Sequence, residues 1–251
     1  MSPAVSVITP VWNAAATLGE TVASVRAQGF PDWEMLVVDD GSTDASLALA
    51  RALAAEDPRI RVLAQGANAG AAAARNRGIR EAAGRFIAFL DADDLWRPEK
   101  LARQLGFMRA HGHALSFTAY RRIAADGTPL KIVRPPARVA YGDLLSGNRI
   151  GCLTAVYDTA AFGKVEMPPF PPCEDYALWL RLLRGGATGH GLSEVLADYR
   201  VRPGSASADK RRVARANWRI WRESEALPRA RAARAFAGYA LRGLRQALSR
   251  G

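Results

Sequence analysis

Short apolar, β-branched runs alternate with stretches of helical periodicity through the first half of the chain, which is the pattern of a mostly parallel sheet covered by helices. Val5 to Thr9 is predicted as the first strand. Thr17-Leu18-Gly19-Glu20 has the spacing of a capping box, and Leu18, Val22 and Val25 share one helical face, so a helix follows to about Gln28. Glu34 to Val38 reads as a second buried strand. A helix from about Asp44 to Glu56, a strand Ile60 to Leu63 and an Ala-rich helix from about Gly70 to Ala83 come next. Gly84 ends that helix, and Phe86 to Leu90 is the fourth strand. The second half is less regular: Pro135-Pro136, Pro168-Pro169 and Pro171-Pro172 mark loops, and Glu174 to Arg184 reads as a helix closed by Gly185-Gly186.

Polar residues of the first half gather where strands end, at Thr9 to Asn13, Asp39 to Asp44 and Asp91 to Asp94. Ligands of open α/β sheets sit beyond the carboxyl ends of the strands, so these segments are expected to line one crevice.

Composition changes this picture in one place, the C-terminus. Residues 1–199 hold 21 basic and 21 acidic residues, whereas residues 200–251 hold 14 basic and 3 acidic ones. The formal charge of +11 therefore belongs to the tail. Such a tail can bind nucleic acid or an anionic membrane surface, or be a solvated helical face. Cys152 and Cys173 alone supply neither a disulfide framework nor a four-ligand zinc set, and a cytoplasmic setting is expected. The N-terminus lacks signal-peptide character and no apolar run approaches a membrane span, so any membrane contact is expected to be peripheral, at the inner face.

Asp91-Ala92-Asp93-Asp94 places three carboxylates on four residues directly after an apolar strand. Their mutual repulsion calls for a cation or a donor-rich partner, and oxygen ligands suit Mg2+ or Mn2+ completed by substrate phosphates. An acidic turn with Asp94 as a helix cap is the alternative. Asp39-Asp40 can accept from the ring N–H of uracil or can start a helix with Ser42 and Asp44, and Trp12 offers a face for a base.

With these residues assembled, the chain resembles the family 2 glycosyltransferases, inverting enzymes of the GT-A fold, of the bacterial cell-surface polysaccharide type. The matching text is Val5 to Asn13, Val37 to Asp44, Ala73 to Ile79, Phe89 to Asp94 and Glu174 to Trp179. The resemblance implies one GT-A domain over residues 1–207, with a nucleotide-binding half to about residue 97 and an acceptor half over 98–207, followed by a basic helical extension over 208–251. It implies a UDP-sugar donor and a divalent metal, with transfer to a glycan or lipid-linked glycan acceptor. Thr9, Pro10 and Trp12 would line the nucleotide pocket, Asp40 with Asp39 beside it would hold uracil, and Arg75 would lie near the base. Asp91, Ala92 and Asp93 would touch ribose and metal, with Asp93 or Asp94 the main ligand. Asp175 would be the general base, with Glu174 the substitute, and Arg200 or Arg202 would contact the diphosphate from a closing segment over Asp198 to Ser207. Trp12 stands where many relatives carry tyrosine, which keeps the aromatic face.

In the tail, Arg231, Arg234, Arg242 and Arg245 fall within about 80° on a helical wheel, opposite Phe236, Ala240, Leu244, Ala247 and Leu248. This amphipathic pattern suits an anionic membrane interface through residues 226–251, or a helix docked on the body with its arginines in water. A sugar nucleotidyltransferase would need a Gly-rich phosphate loop after the first strand, and Thr9 to Asn13 is not one; a nucleic-acid-binding protein would be expected to interleave aromatic residues with the arginines or carry a recognition motif, and no such motif is evident.

Overall fold

The first two strands bury both of their faces, which is why apolar residues predominate along them and the few polar ones, Ser6, Thr9, Glu34 and Asp39, are buried as well. In the computed structural model, which describes residues 2–202 and 209–248 with 244–248 as backbone alone, the sheet has ten strands. They are β1 (Val5–Val11), β2 (Trp33–Asp39), β3 (Ile60–Ala64), β4 (Phe86–Phe89), β5 (Leu95–Trp96), β6 (Leu115–Ile123), β7 (Pro129–Val133), β8 (Arg138–Ala140), β9 (Val156–Asp158) and β10 (Thr188–Arg200). The helices are α1 (Leu18–Arg26), α2 (Ser46–Glu56), α3 (Ala71–Glu81), α4 (Lys100–His111), α5 (Tyr141–Leu144), α6 (Thr159–Phe162), α7 (Glu174–Leu183), α8 (Lys210–Arg219) and α9 (Arg229–Leu248).

The strand order is β3-β2-β1-β4-β9-β6-β10-β5, with β7 paired to β6 and β8 to β10. Pairings among β1 to β4 are parallel, as are β6 and β10. Short β9 lies antiparallel between β4 and β6 and joins the two groups into one sheet. This is the expected α/β architecture.

Alternation along the strands separates two cores. Val5, Val7 and Val11 of β1 face Leu18, Val22 and Val25 of α1 and Leu101, Leu105 and Met108 of α4. Ile8 and Leu36 face the other way, toward Ile79 of α3 and the residues of α7. Helix α7 is buried almost all round, as its run Tyr176 to Leu183 foretells. Behind it, Trp221 Nε1 donates to Tyr176 Oη at 2.8 Å, and Tyr176 Oη donates to the Leu144 carbonyl at 2.6 Å. The C-terminal region is thus fastened to the helix that carries Asp175.

At the opposite end of the strands from the polar crevice, buried Glu34 accepts from Ser6 Oγ and from the Ala83 N–H, both at 2.6 Å. Gly84 fits under this clamp only because it has no side chain, since a Cβ there would stand 2.6 Å from Ser6 N and 2.7 Å from Val5 C. Backbone cannot retreat as a flexible side chain can. Gly84→Ala is therefore expected to lower stability by about 1–3 kcal/mol, read as a reduced midpoint in urea unfolding with an unchanged slope.

The tail takes one of its two expected arrangements, a helix docked on the body with Arg231 and Arg234 exposed, but not with the expected faces. Helix α9 is docked, but Ala232, Ala235 and Tyr239 make the contact with Trp221, Leu227 and Leu145. Arg242, expected in water, turns inward to the carbonyls of Ser146 and Gly147. Phe236, Ala240 and Leu241 are exposed. The side chains of Leu244, Arg245, Ala247 and Leu248 lie outside the described residues, as do 203–207 of the expected closing segment.

Candidate active site

The three polar strand ends meet as expected, through contacts that periodicity does not reveal. Asn13 adopts φ 49°, a left-handed conformation that asparagine tolerates. There its Oδ1 accepts from the N–H groups of Thr43 (2.8 Å) and Asp44 (3.3 Å), while its own N–H donates to Ser42 Oγ. Thr17 Oγ1 donates to the Ala92 carbonyl at 2.8 Å and Thr21 Oγ1 to the Asp94 carbonyl at 3.0 Å, so α1 carries the β4 end. The capping box expected at Thr17 and Glu20 is absent: the Thr17 side chain makes no cap bond, and Glu20 pairs with Arg200 at 2.6 Å. Both side chains are drawn into the crevice instead of closing their own helix.

On the nucleotide side, Thr9 is buried, Pro10 is half-buried and Trp12 is 58% exposed, leaving an aromatic face open. Asp40 is fully engaged: its Oδ1 accepts from Gln65 Nε2 (2.6 Å) and Ala69 N (2.8 Å), and its Oδ2 from Gly70 N (2.8 Å). It organises the loop before α3. Asp39 uses Oδ2 for the Ser42 N–H and keeps a buried Oδ1 without a partner. Of the two carboxylates, Asp39 keeps a buried oxygen without a partner, whereas both oxygens of Asp40 already accept from the loop before α3. Gly41 permits the approach of these loops with φ 71°, and a Cβ there would meet Ala67 and Asn68 backbone at 2.8 Å.

Each carboxylate after β4 has one oxygen held by the protein. Asp91 Oδ1 accepts from Arg75 Nη2 at 2.5 Å, Asp93 Oδ2 faces Arg202 Nε at 3.0 Å, and Asp94 Oδ1 accepts from the Arg200 N–H at 2.8 Å. Asp91 and Asp93 are partly open, with side chains 33% and 29% exposed, whereas Asp94 is buried and its Oδ2 has no partner. Burial and then the neighbouring Asp91 raise the pKa of Asp93, and burial, Asp91 and Asp93 raise that of Asp94 well above the usual carboxylate range. The cluster is poised to gain from added positive charge.

Arg200 is not free to meet a diphosphate. Its guanidinium donates to the Asp93 carbonyl, the Ala125 carbonyl and Glu20, so it ties the acidic loop to α1 and to the β6–β7 turn. Arg202, bonded to Thr17 Oγ1 and Asp93, is the more exposed of the two.

Arg75, expected near the base, is instead buried between the acidic loop and the start of α7, paired with Asp91 and 3.9 Å from Glu174. Burial opposes its charge, but the surrounding anions, led by Asp91, outweigh this and raise its pKa. Asp175 is half-buried, and its Oδ1 and Oδ2 accept from Tyr176 N (2.7 Å) and Asn148 Nδ2 (3.1 Å). Burial pushes its pKa up, Arg75 pulls it down and Glu174 raises it again, for a value of about 6. Glu174 is more deeply buried, with Oε2 unpartnered.

Nine buried side-chain polar atoms lack a partner among the described residues, and five of them belong to Thr9, Asp39, Arg75, Asp94 and Glu174. Unpaired buried polar atoms are costly, so their concentration here marks a place meant for a polar ligand. Among the described residues no three His, Cys, Asp or Glu side chains form a closed cage for an ion. The free oxygens of Asp93 and Asp94 still fit Mg2+ or Mn2+, hard cations that take a few carboxylates and complete their shell with substrate phosphates.

Thr17, Glu20, Asn13, Gln65 and Asn148 were not singled out as site residues. Thr17 and Glu20 carried a signal that read more simply as a helix cap, and Asn148 reaches Asp175 from a loop with no motif.

The chain is similar to proteins already known. The family model described as Glycosyl transferase family 2 matches residues 6–158. A putative teichuronic acid biosynthesis glycosyltransferase, TuaG of Bacillus subtilis (strain 168), is 42% identical over 247 residues, covering 98% of each chain. The UDP-Glc:alpha-D-GlcNAc-diphosphoundecaprenol beta-1,3-glucosyltransferase WfgD of Escherichia coli is 35% identical over 217 residues, 86% of this chain and 84% of its own. Among solved structures, S. aureus TarS 1-349 in complex with UDP-GlcNAc superposes with a TM-score of 0.72 at 21% identity, over 94% of this chain and 71% of that one. The mannosyltransferase PcManGT from Pyrobaculum calidifontis, in complex with GDP-Man and Mn2+, gives 0.73 at 19% identity, over 96% and 70%.

Proposed function

The chain belongs to glycosyl transferase family 2 and is a glycosyltransferase, and from that premise we propose that it transfers a sugar, with inversion, from a UDP-sugar to a lipid-linked glycan of a cell-surface polysaccharide. The observation that carries this reading is the division of the site into two acidic groups, Asp91 to Asp94 and Glu174-Asp175, with Arg75 between them. One group suits a donor diphosphate and its cation. The other suits an acceptor hydroxyl.

Asp39 Oδ1 takes the uracil N–H, Trp12 and Pro10 cover the ring, and Thr9 Oγ1 finds its partner on the nucleotide. Asp91 and the Ala92 segment meet the ribose, while Asp93, the more open of its pair, holds the cation with Asp94 behind it. A bound divalent cation supplies charge stabilisation to the departing diphosphate. Arg202, paired with Asp93, would turn to the phosphates as a charge-assisted donor. Asp175 removes the acceptor hydroxyl proton as the new C–O bond forms at the anomeric carbon and the bond to the diphosphate breaks.

Support for the donor and acceptor classes comes from the named relatives: WfgD uses UDP-Glc and a diphosphoundecaprenol-linked sugar, and TarS is seen with UDP-GlcNAc. Among the described residues no helix is long and apolar enough to cross a membrane. On this reading the lipid-linked acceptor is met at the cytoplasmic face of the membrane. A panel of nucleotide sugars with Mn2+ or Mg2+ and a prenyl-diphosphate-linked sugar tests the assignment. Release of UDP from at least one UDP-sugar, dependent on cation and acceptor, is expected; turnover with GDP-mannose alone rejects the donor.

A further inference from the structure

We propose that the outward face of α9, together with Trp218 of α8, is a docking surface for an anionic lipid interface. The face turned away from the body carries Ala233, Phe236, Ala237, Ala240 and Leu241, all exposed and spaced three and four residues apart. Three large apolar side chains stand open on this part of the molecule: Leu241 at 58%, Phe236 at 39% and Trp218 at 38%. Trp218 meets Phe236 edge to face at 6.2 Å, and the two line an apolar hollow of about 530 Å³ with Ala214, Arg215 and Arg219. None of these residues belongs to the crevice at the strand ends.

The face is unpartnered because the opposite one already is. Ala232, Ala235 and Tyr239 are spent on the contact with Trp221, and Arg242 is bonded to Ser146 and Gly147. The amphipathic pattern of the tail is thereby inverted from a soluble docked helix: apolar residues face water.

Charge identifies the occupant. Exposed Arg215 flanks the stripe on the α8 side and Arg234 on the other, while Arg219 beside them is paired with Glu223. The three acids of residues 200–251 are already engaged: Asp209 caps α8, Glu223 pairs with Arg219 and Glu225 pairs with Arg184. An apolar stripe bordered on both sides by arginines repels a second copy of itself and matches acyl chains below anionic headgroups. The tryptophan at its margin suits the headgroup level.

Deleting the tail is a poor test, because it would uncover Trp221 and loosen its bond to Tyr176. The double variant Ala237→Glu, Leu241→Glu changes only exposed positions. Full-length protein is expected to co-sediment with phosphatidylglycerol-containing vesicles, less so as salt is raised, and not with phosphatidylcholine alone. The variant is expected to bind at least about tenfold more weakly, with unchanged thermal midpoint and UDP affinity. Equal recovery of variant and wild type overturns the proposal, as does equal binding to neutral vesicles. So does a concentration-dependent dimer that the variant loses while vesicles are never bound. UDP affinity is measured separately, so failure here leaves the donor reading standing, and loss of UDP binding leaves this one.

Discussion

Asp175→Asn is expected to lower the transfer rate by about a thousandfold, in the range found for removal of a general base, with little change in donor affinity. Asparagine keeps an oxygen for the Tyr176 N–H and fills the same space beside Asn148, so the start of α7 is retained while the proton acceptor is lost. Stopped turnover with normal UDP-sugar binding, by calorimetry, is the expected pair of results; retained turnover moves the base to Glu174. The pH dependence carries the same assignment. Burial holds the Asp175 pKa at about 6 and the base acts only when ionised, so kcat/KM for the acceptor should fall as pH drops through about 6 and level off above it. The variant should lack that limb.

Arg75→Met is the second large effect and the more informative about how the site is built. Arg75 is buried, paired with Asp91 and close to Glu174, and its charge lowers the Asp175 pKa. Methionine keeps much of the volume but leaves those carboxylates without a counter-ion, at a cost of about 3 kcal/mol because Asp91 retains some solvent. The midpoint of thermal unfolding should fall accordingly. The acid limb of kcat/KM should also move above 6, since the residue that pulled Asp175 down is gone. A purely structural role would lower the midpoint and leave the limb in place.

The strands of the first half were legible because a sheet covered on both sides favours short, β-branched, mostly apolar runs such as those within Val5–Val11 and Trp33–Asp39. The strand ends were legible for the same reason, since polar residues that stop such a run must face the crevice. What could not be read is which oxygen of which carboxylate is already taken. Asp39 and Asp40 are adjacent and chemically alike, and only the path of residues 65–70 brings the Gln65 side chain and the Ala69 and Gly70 N–H groups to Asp40. Arg200 and Arg202 differ in the same way: one sits under the β6–β7 turn and the other beyond it. The tail misled for a different reason. A helical wheel shows which residues share a side, but not which side finds a partner, and small alanines proved better for close docking than phenylalanine and leucine.

The insertion of β9 between β4 and β6 also governs how this enzyme must be made. On the ribosome, Phe86–Phe89 emerges with an open hydrogen-bonding edge that stays bare until Val156–Asp158 follows and pairs with it. An apolar edge in that state is a template for pairing with other chains. Any shortened form ending between β4 and β9 keeps that edge open and is expected to self-associate where the longer chain does not.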